Sequence, residues 1–244
     1  MNLLIDIGNS RLKWGLHEHN KIIPKSPIVY SKHLKEQLLS LWTGIEQPQN
    51  IAISCVNALD WLAIVQQVAL QLWSSSTKIT KIKSLAEGYG VISAYQHPEK
   101  LGVDRWLALL ALHKHYPFST CVVDCGTAVT IDFLNKQGQH LGGLIAPGLT
   151  LMKKSLAEET QDLEFCEPEF SLGLADNTEA AIYSGTLFST IGLIEHVMFN
   201  NPGFQLILTG GDAEIIAKKL SLECIVQLDL VLLGLAVTII SSEQ

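Results

Sequence analysis

Short apolar runs that end in polar turns alternate with longer segments of helical periodicity along this chain. The apolar runs predict strands at Leu3–Ile7, Leu12–Leu16, Ile28–Tyr30, Ile51–Cys55, Cys121–Asp124, Val129–Leu134, His140–Ile145, Leu206–Thr209 and Cys224–Gln227. The periodic segments predict helices at Leu34–Trp42, Trp61–Leu72, Asp104–His115, Thr150–Leu156, Asn177–Phe199 and Ala213–Leu220. Because strands alternate with helices, the pattern indicates an α/β fold with a mixed sheet.

One pattern of strand, glycine turn and strand occurs twice, after Leu3–Ile7 and again after Cys121–Asp124. A strand follows each turn, so the pattern predicts two hairpins and argues against Rossmann and P-loop folds, where a helix follows the glycines. Pro117 ends the helix predicted from Asp104, and the pattern then restarts. We therefore predict two domains, 1–117 and 118–244, and the shared opening suggests a duplication.

Composition narrows the class of protein. Of the 244 residues 48% are hydrophobic and 17% are charged, so the chain can bury a sizeable core. The formal net charge is −7 and no Lys/Arg cluster occurs, which predicts no nucleic-acid partner. The apolar run Leu230–Ile240 is shorter than the roughly 20 residues that span a bilayer, and the apolar N-terminal stretch is too short for a signal peptide. We expect a cytoplasmic protein without a membrane partner.

The cysteines show neither disulfide nor zinc spacing, and we expect buried thiols in a reducing compartment. They are Cys55, Cys121, Cys125, Cys166 and Cys224.

The first glycine turn, Asp6–Ser10 (DIGNS), has the residue types of a phosphate site. Gly8 permits close approach to the backbone, and successive N–H groups in such a turn form an anion site. Ser10 and Lys13 add a hydroxyl donor and a cation, and Asp6 is placed to hold Mg²⁺ directly or through water. The alternative is an ordinary hairpin turn, because Asn and Gly are common turn formers.

The second turn, Asp124–Thr127 (DCGT), offers another acid, glycine and hydroxyl. A third segment, Leu208–Asp212 (LTGGD), follows a predicted strand and precedes a helix. The paired Gly210 and Gly211 would let a base and ribose lie against the backbone. Taken together, the three segments favour nucleotide binding, with the two turns holding a polyphosphate from both sides.

These motifs, in this order, resemble those of type III pantothenate kinases in the actin, hexokinase and sugar-kinase superfamily. Four segments carry the narrower resemblance: Tyr95–Arg105, Gly142–Gly148, Asn177–Gly185 and Leu208–Asp212. The resemblance implies an α/β fold of two similar ribonuclease-H-like domains, each a mixed sheet flanked by helices, with the active-site cleft between them. It also implies ATP-dependent phosphorylation of pantothenate to 4'-phosphopantothenate, the first step of coenzyme A biosynthesis, by a homodimer.

The resemblance also implies residue roles. Asp104 would be the catalytic base, Asp124 would hold a monovalent cation (K⁺ or NH₄⁺), and Asp6 would bind the Mg²⁺ that accompanies ATP. Positions matching ATP or phosphate ligands are Asp6, Ile7, Gly8, Asn9, Ser10, Arg11, Leu12, Lys13, Gly126, Thr127, Gly210 and Gly211. Positions matching pantothenate ligands are Tyr95, Gly102, Val103, Asp104, Arg105 and Thr178.

The sequence leaves several alternatives open. Asp104 precedes a helical run and is also a candidate helix N-cap, and Arg105 is a candidate for a surface ion pair worth little. The small residues of the helix predicted to end at Phe199 suit either an intrachain contact or a dimer seam. Two other functions compete: a superfamily kinase for another small hydroxylated substrate, and a non-catalytic regulatory protein that binds nucleotide.

Overall fold

A computed structural model describes residues 1–56, 59–73, 77–159 and 170–240. The chain divides into two compact units. The first unit comprises Met1–Pro117, the short segment Gln137–His140 and the chain from Asp229 onward, and the second comprises Phe118–Lys136 and Leu141–Leu228. The predicted domains, 1–117 and 118–244, place both the short segment and the chain from Asp229 in the second half.

The first unit is built on a five-stranded sheet in the order β3-β2-β1-β4-β5. Its strands are β1 (Asn2–Ile7), β2 (Arg11–Glu18), β3 (Lys21–Val29), β4 (Asn50–Cys55) and β5 (Lys78–Lys81). The helices of this unit are α1 (Leu34–Trp42), α2 (Leu59–Leu72), α3 (Val103–His115) and α7 (Leu230–Ile240). A two-stranded ribbon of β6 (Glu87–Gly88) and β7 (Val91–Ile92) and a 3₁₀ turn, Pro98–Lys100, precede α3.

The second unit repeats this plan, with its sheet in the order β10-β9-β8-β11-β12. Its strands are β8 (Thr120–Cys125), β9 (Ala128–Leu134), β10 (His140–Pro147), β11 (Gln205–Thr209) and β12 (Cys224–Val226). Its helices are α4 (Leu149–Glu159), α5 (Thr178–Phe199) and α6 (Ala213–Ala217). The repeated strand order confirms the α/β prediction of two mixed sheets with helices and is what a duplication would produce.

Both predicted hairpins are present. In the first unit β1 pairs antiparallel with β2, and in the second β8 pairs antiparallel with β9. The central strands β1 and β8 also pair in parallel with β4 and β11, respectively. Because the carboxyl ends of parallel strands lie at one edge of a sheet, each glycine turn projects from the edge where open α/β sheets bind ligands.

The core of the first unit lies on one face of its sheet, where α1 and α2 pack on the odd-numbered side chains of β1, such as Leu3 and Ile5. Three indoles add large apolar area there: Trp42 lies 6.0 Å from Trp14 and 5.6 Å from Trp73, ring centre to ring centre. Helices α3 and α7 pack against each other, and both contact β4. All but two side chains of α7 are buried, so it is a core helix despite its short length.

Gly234 sets the close approach of α7 to α3. A Cβ at Gly234 would overlap the backbone of Leu107 in α3. Glycine therefore permits a contact that even alanine would obstruct. Asp104, the predicted catalytic acid, lies in the first turn of the same helix.

The described cysteines are free thiols, and Cys55, Cys121 and Cys125 are buried while Cys224 is partly buried. The prediction of buried thiols is confirmed for Cys55, Cys121 and Cys125. Cys166 lies outside the described residues. No helix in the described ranges is long and apolar enough to span a bilayer.

Candidate active site

The first glycine turn connects β1 to β2 through Gly8, Asn9 and Ser10. The N–H of Gly8 donates to the carbonyl of Arg11 at 3.2 Å, which closes the turn. Asn9, Ser10 and Arg11 are exposed, so their polar groups are accessible to a ligand. Asp6 is 7% exposed at the end of β1 and lies opposite Lys13 in the β1–β2 register.

The structure limits two of the predicted phosphate ligands in this turn. Ile7 and Leu12 are fully buried and belong to the core of the first unit. Their side chains hold the turn on the sheet, and only their backbone groups remain for a phosphate contact. The exposed residues between them are the ones that the turn presents to solvent.

Tyr30 forms a hydrogen bond with the backbone of the first turn, and the sequence motifs do not predict this role. Its hydroxyl donates to the carbonyl of Gly8 at 2.8 Å. Its ring stacks on Trp61 of α2, with ring centres 4.9 Å apart and planes inclined by 5°. Burial raises the pKa of the Tyr30 hydroxyl, and the nearby Asp6 and Cys55 raise it further. The pattern around it shows only a strand end, because nothing in the sequence tells which carbonyl a tyrosine reaches 22 residues away.

Asp104 stands in the first turn of α3, and the N-cap position belongs to Gly102, which provides no side-chain cap. The interpretation of Asp104 as the N-cap is therefore wrong. A Cβ at Gly102 would lie 2.5 Å from Asp104 Oδ1, so the carboxylate occupies space that only glycine leaves. Asp104 is partly exposed, and its Oδ1 accepts from the N–H of Arg105 at 2.8 Å.

Arg105 and Tyr95, both predicted substrate ligands, contact each other. Nη1 of Arg105 donates to the Tyr95 hydroxyl at 2.8 Å, and the guanidinium carbon lies 5.5 Å from the centre of that ring. Arg105 is only 6% exposed, which excludes the surface ion pair. A guanidinium buried to this degree is costly unless it is hydrogen-bonded, so this contact is part of a built site.

His140 extends this cluster of Tyr95 and Arg105, and no motif in the sequence points to it. The ring is 1% exposed and stacks on Tyr95 with centres 6.1 Å apart. Its Nδ1 accepts from the N–H of Ala94 at 3.3 Å, so the tautomer with its proton on Nε2 satisfies this contact. His140 lies in the segment Gln137–His140, which belongs to the first unit although the residues on both sides of it belong to the second. Local periodicity does not reveal such a long-range contact.

The second turn lies within a cluster of glycines of the second unit. Gly148 donates its N–H to the carbonyl of Thr127 at 3.0 Å, and Asp212 donates its N–H to the carbonyl of Cys125 at 2.9 Å. A Cβ at Gly210, where φ is +94°, would overlap Asp124 Oδ1 and the Cys125 backbone. The structure thus brings the DCGT and LTGGD motifs together, as the nucleotide-site prediction requires.

Two acidic side chains, Asp124 and Asp212, lie near Cys125 at this turn. The pKa of the Cys125 thiol is raised by burial first, and Asp124, Asp212 and Cys224 raise it further. Asp212 lies in the LTGGD segment but is not among the predicted site residues. Its acidic position directly after two glycines was the available sign.

Thr178 is the exposed first residue of α5, as its position before a periodic segment suggested. The helix is capped by Asn177, whose Oδ1 accepts from the N–H of Ala180 at 3.0 Å. The Thr178 hydroxyl is not the cap and is available for another contact. Gly211 is likewise exposed, whereas Gly210 is buried.

The metal requirements can be tested against these residues. No group of three or more His, Cys, Asp and Glu side chains able to hold a metal occurs within the described parts of the chain. The predicted Mg²⁺ ligand Asp6 is a single carboxylate, and Mg²⁺ takes most of its ligands from water and substrate phosphates. Asp124 and the carbonyls of the adjoining turn offer oxygen atoms, which are the type of ligand that the predicted monovalent cation requires.

Comparisons with known proteins decide the family. The family model described as type III pantothenate kinase matches residues 2–200. The chain belongs to this family. A type III pantothenate kinase of Nitrosococcus oceani is 36% identical over 249 residues, covering 97% of this chain and 92% of the relative. One from Acinetobacter baumannii is 35% identical over 238 residues, covering 96% and 95%.

Solved structures with lower identity share the fold of this type III pantothenate kinase family member. A Campylobacter jejuni protein assigned to a Baf family of transcriptional activators superposes with a TM-score of 0.63 at 22% identity, over 99% of this chain and 100% of that one. An inorganic polyphosphate/ATP-glucomannokinase from Arthrobacter gives 0.51 at 14% identity, over 98% of each chain. At these identities the similarity supports the actin and sugar-kinase fold alone.

Proposed function

We propose that this chain transfers the γ-phosphate of ATP to the primary hydroxyl of pantothenate, the first step towards coenzyme A. The observation that carries the proposal is the family match over residues 2–200. The competing names among solved structures come at identities that support only the fold, so neither a sugar substrate nor a regulatory role gains support from them.

Asp104 acts as the general base of this reaction. The pantothenate hydroxyl oxygen forms the new bond to the γ-phosphorus, the bond from that phosphorus to the β–γ bridging oxygen breaks, and the hydroxyl proton passes to the Asp104 carboxylate. ADP leaves. The partly exposed position of Asp104 in the first turn of α3, without a capping role, supports this assignment.

Arg105 and Tyr95 bind the acceptor. The guanidinium presents several N–H donors in a rigid fork, which suits the carboxylate or amide oxygens of pantothenate. Its hydrogen bond to Tyr95, and the stacking of Tyr95 on His140, hold both groups in one orientation. Gly102 and Val103 are partly exposed beside them, and Thr178 of the second unit is proposed as a further ligand.

The glycine turns bind phosphate. Asn9, Ser10, Arg11 and Lys13 provide hydrogen-bond donors and positive charge in the first unit, while Thr127 provides a hydroxyl donor beside Gly126 in the second. Gly210 and Gly211 lie against the adenosine. Asp6 would hold the Mg²⁺ that accompanies ATP, which would neutralise phosphate charge, and the oxygen donors around Asp124 would hold a monovalent cation.

An ADP-release assay with pantothenate and a panel of small sugars tests the function. We expect ADP release with pantothenate alone among the acceptors, and stimulation by K⁺ or NH₄⁺ over Na⁺. In Asp124→Asn the preference among these cations should disappear. Release with a sugar but not with pantothenate would favour the other superfamily kinases, and no release with any acceptor would favour the regulatory alternative.

We also propose that the chain forms a homodimer through α5. Its cytoplasmic location stays a prediction from the sequence. Phe188 and Phe199 of α5 are 51% and 83% exposed, and a Cβ at Gly185 or Gly192 would meet no atom within 4 Å. Large apolar side chains exposed beside small residues suit close packing of a second helix. Light scattering should find a dimer that Phe188→Glu converts to monomer, whereas Leu70→Glu, on the exposed surface of α2, leaves it intact.

A further inference from the structure

Gly8 is held at both of its polar backbone groups. Its N–H donates to the carbonyl of Arg11 at 3.2 Å, and its own carbonyl accepts from the Tyr30 hydroxyl at 2.8 Å. The first contact closes the turn upon itself. The second comes from a side chain beyond β3, the edge strand of the sheet.

The register of the sheet places Tyr30 beside this turn. Val29, the last residue of β3, pairs with Arg11, the first residue of β2. Tyr30 therefore follows the strand at the sheet edge from which the turn projects. The parallel stack on Trp61 restricts the ring, and a restricted ring directs its hydroxyl to one acceptor.

Because the peptide bond is planar, the hydrogen bond to the Gly8 carbonyl also sets the direction of the next N–H, that of Asn9. In a trans peptide the C=O and the following N–H point in opposite directions. When the carbonyl of Gly8 is drawn to Tyr30, the N–H of Asn9 faces away from Tyr30. Asn9 is exposed, so solvent and ligands reach this part of the turn.

We propose that Tyr30 is a positioning residue of the nucleotide site: it anchors the Gly8 carbonyl and so directs the Asn9 N–H towards a bound phosphate. The proposal rests on the proposed use of ATP. Burial and the neighbouring Asp6 and Cys55 raise the pKa of Tyr30, so its hydroxyl stays a donor throughout the physiological pH range. Tyr30 touches no substrate in this proposal and acts through the backbone of the turn.

Tyr30→Phe tests the proposal, because it keeps the ring on Trp61 and removes the hydroxyl. Calorimetry with ADP and with a non-hydrolysable ATP analogue should give Kd values about threefold to tenfold higher than wild type, as the loss of one ordering hydrogen bond implies. The KM for ATP should rise in parallel, while the KM for pantothenate stays within about twofold. A residue that only stabilises the fold would not separate the two substrates in this way.

Tyr89→Phe is the matched control, since Tyr89 is 38% exposed and lies outside the proposed site. It should bind nucleotide as wild type does. Tyr30→Leu, which also removes the stack on Trp61, should lose at least as much nucleotide affinity as Tyr30→Phe and should melt at a lower temperature. The Leu variant thus reports the structural part separately.

The outcomes distinguish this proposal from the proposed function. If Tyr30→Phe binds both nucleotides within twofold of wild type, the positioning role is overturned even when wild type phosphorylates pantothenate. If wild type binds nucleotide but leaves pantothenate unmodified, the proposed function fails while the comparison of Kd values still decides the role of Tyr30. A wild-type chain that binds no nucleotide overturns both.

Discussion

The two glycine turns start from the same motif and are supported by different means. The first has three residues between its strands, Gly8 to Ser10, and is anchored by the hydroxyl of Tyr30. The second has two, Gly126 and Thr127, and is supported by backbone N–H groups from Gly148 and Asp212. Side-chain chemistry thus shapes one turn, and close backbone packing shapes the other.

This difference predicts where each turn is sensitive. The first turn leaves Asn9 and Ser10 exposed and receives the hydrogen bond of the Tyr30 hydroxyl from outside the turn. The second depends on glycines, because Gly148 and Gly210 lie where a Cβ would overlap the neighbouring backbone. Substitutions should therefore affect ligand affinity at the first turn and folding at the second.

The largest effect should come from the acid that belongs to neither turn. Asp104→Asn removes the proposed base and should lower kcat by about 10²–10⁴-fold. Nucleotide Kd should stay close to wild type, because the amide keeps the shape and neither turn is altered. Stopped assays for kcat and calorimetry for Kd measure the two quantities separately. An unchanged kcat would show that Asp104 is a structural residue of α3.

The glycines test the comparison directly. Gly210→Ala should destabilise the protein by about 1–3 kcal/mol, because the new Cβ overlaps the Cys125 backbone and φ is one that alanine rarely adopts. Gly8→Ala is the matched variant: its Cβ would lie 3.3 Å from the Arg11 carbonyl, and no positive φ is required. Thermal unfolding should show a clear loss for Gly210→Ala and a small one for Gly8→Ala. Equal losses would remove the distinction between the turns.

The smallest effect concerns the thiol under the second turn. Burial, with Asp124 and Asp212 nearby, raises the pKa of Cys125, and burial beside Asp132 raises that of Cys121 to about 12. Only the thiolate reacts, so alkylation of both should be slow at pH 8 and should accelerate as the pH rises. In mass spectra of the native protein, the partly exposed Cys224 should be alkylated before Cys121 and Cys125. Alkylation of Cys125 as fast as that of Cys224 would contradict the burial of this turn.

Most strands and helices could be predicted because each shows its own periodicity. The exceptions have physical reasons. In β3, Pro24 and Pro27 indicate a loop, yet an edge strand tolerates prolines because part of its backbone needs no partner. The run Leu230–Ile240 is apolar on all sides of the helix, so it lacks the alternation of apolar and polar residues that predicts an amphipathic helix.

Only those candidate site residues that lie in short sequence motifs could be predicted from the sequence. Asp6, Asp104 and the glycines stand in short segments whose residue types suggest chemistry by themselves. Tyr30 and His140 act through contacts with residues 22 and 45 or more positions away, and such contacts follow from strand register and the exchange of segments between units. No local pattern encodes either choice.

The most direct test of the account is the identity of the phosphorylated product. Purified chain, Mg²⁺-ATP, K⁺ and pantothenate should yield one phosphopantothenate for each ADP, measured by mass spectrometry against a standard, and Asp104→Asn should yield almost none while it still binds nucleotide. Formation of ADP without phosphopantothenate, or an Asp104→Asn variant as productive as wild type, would contradict the account.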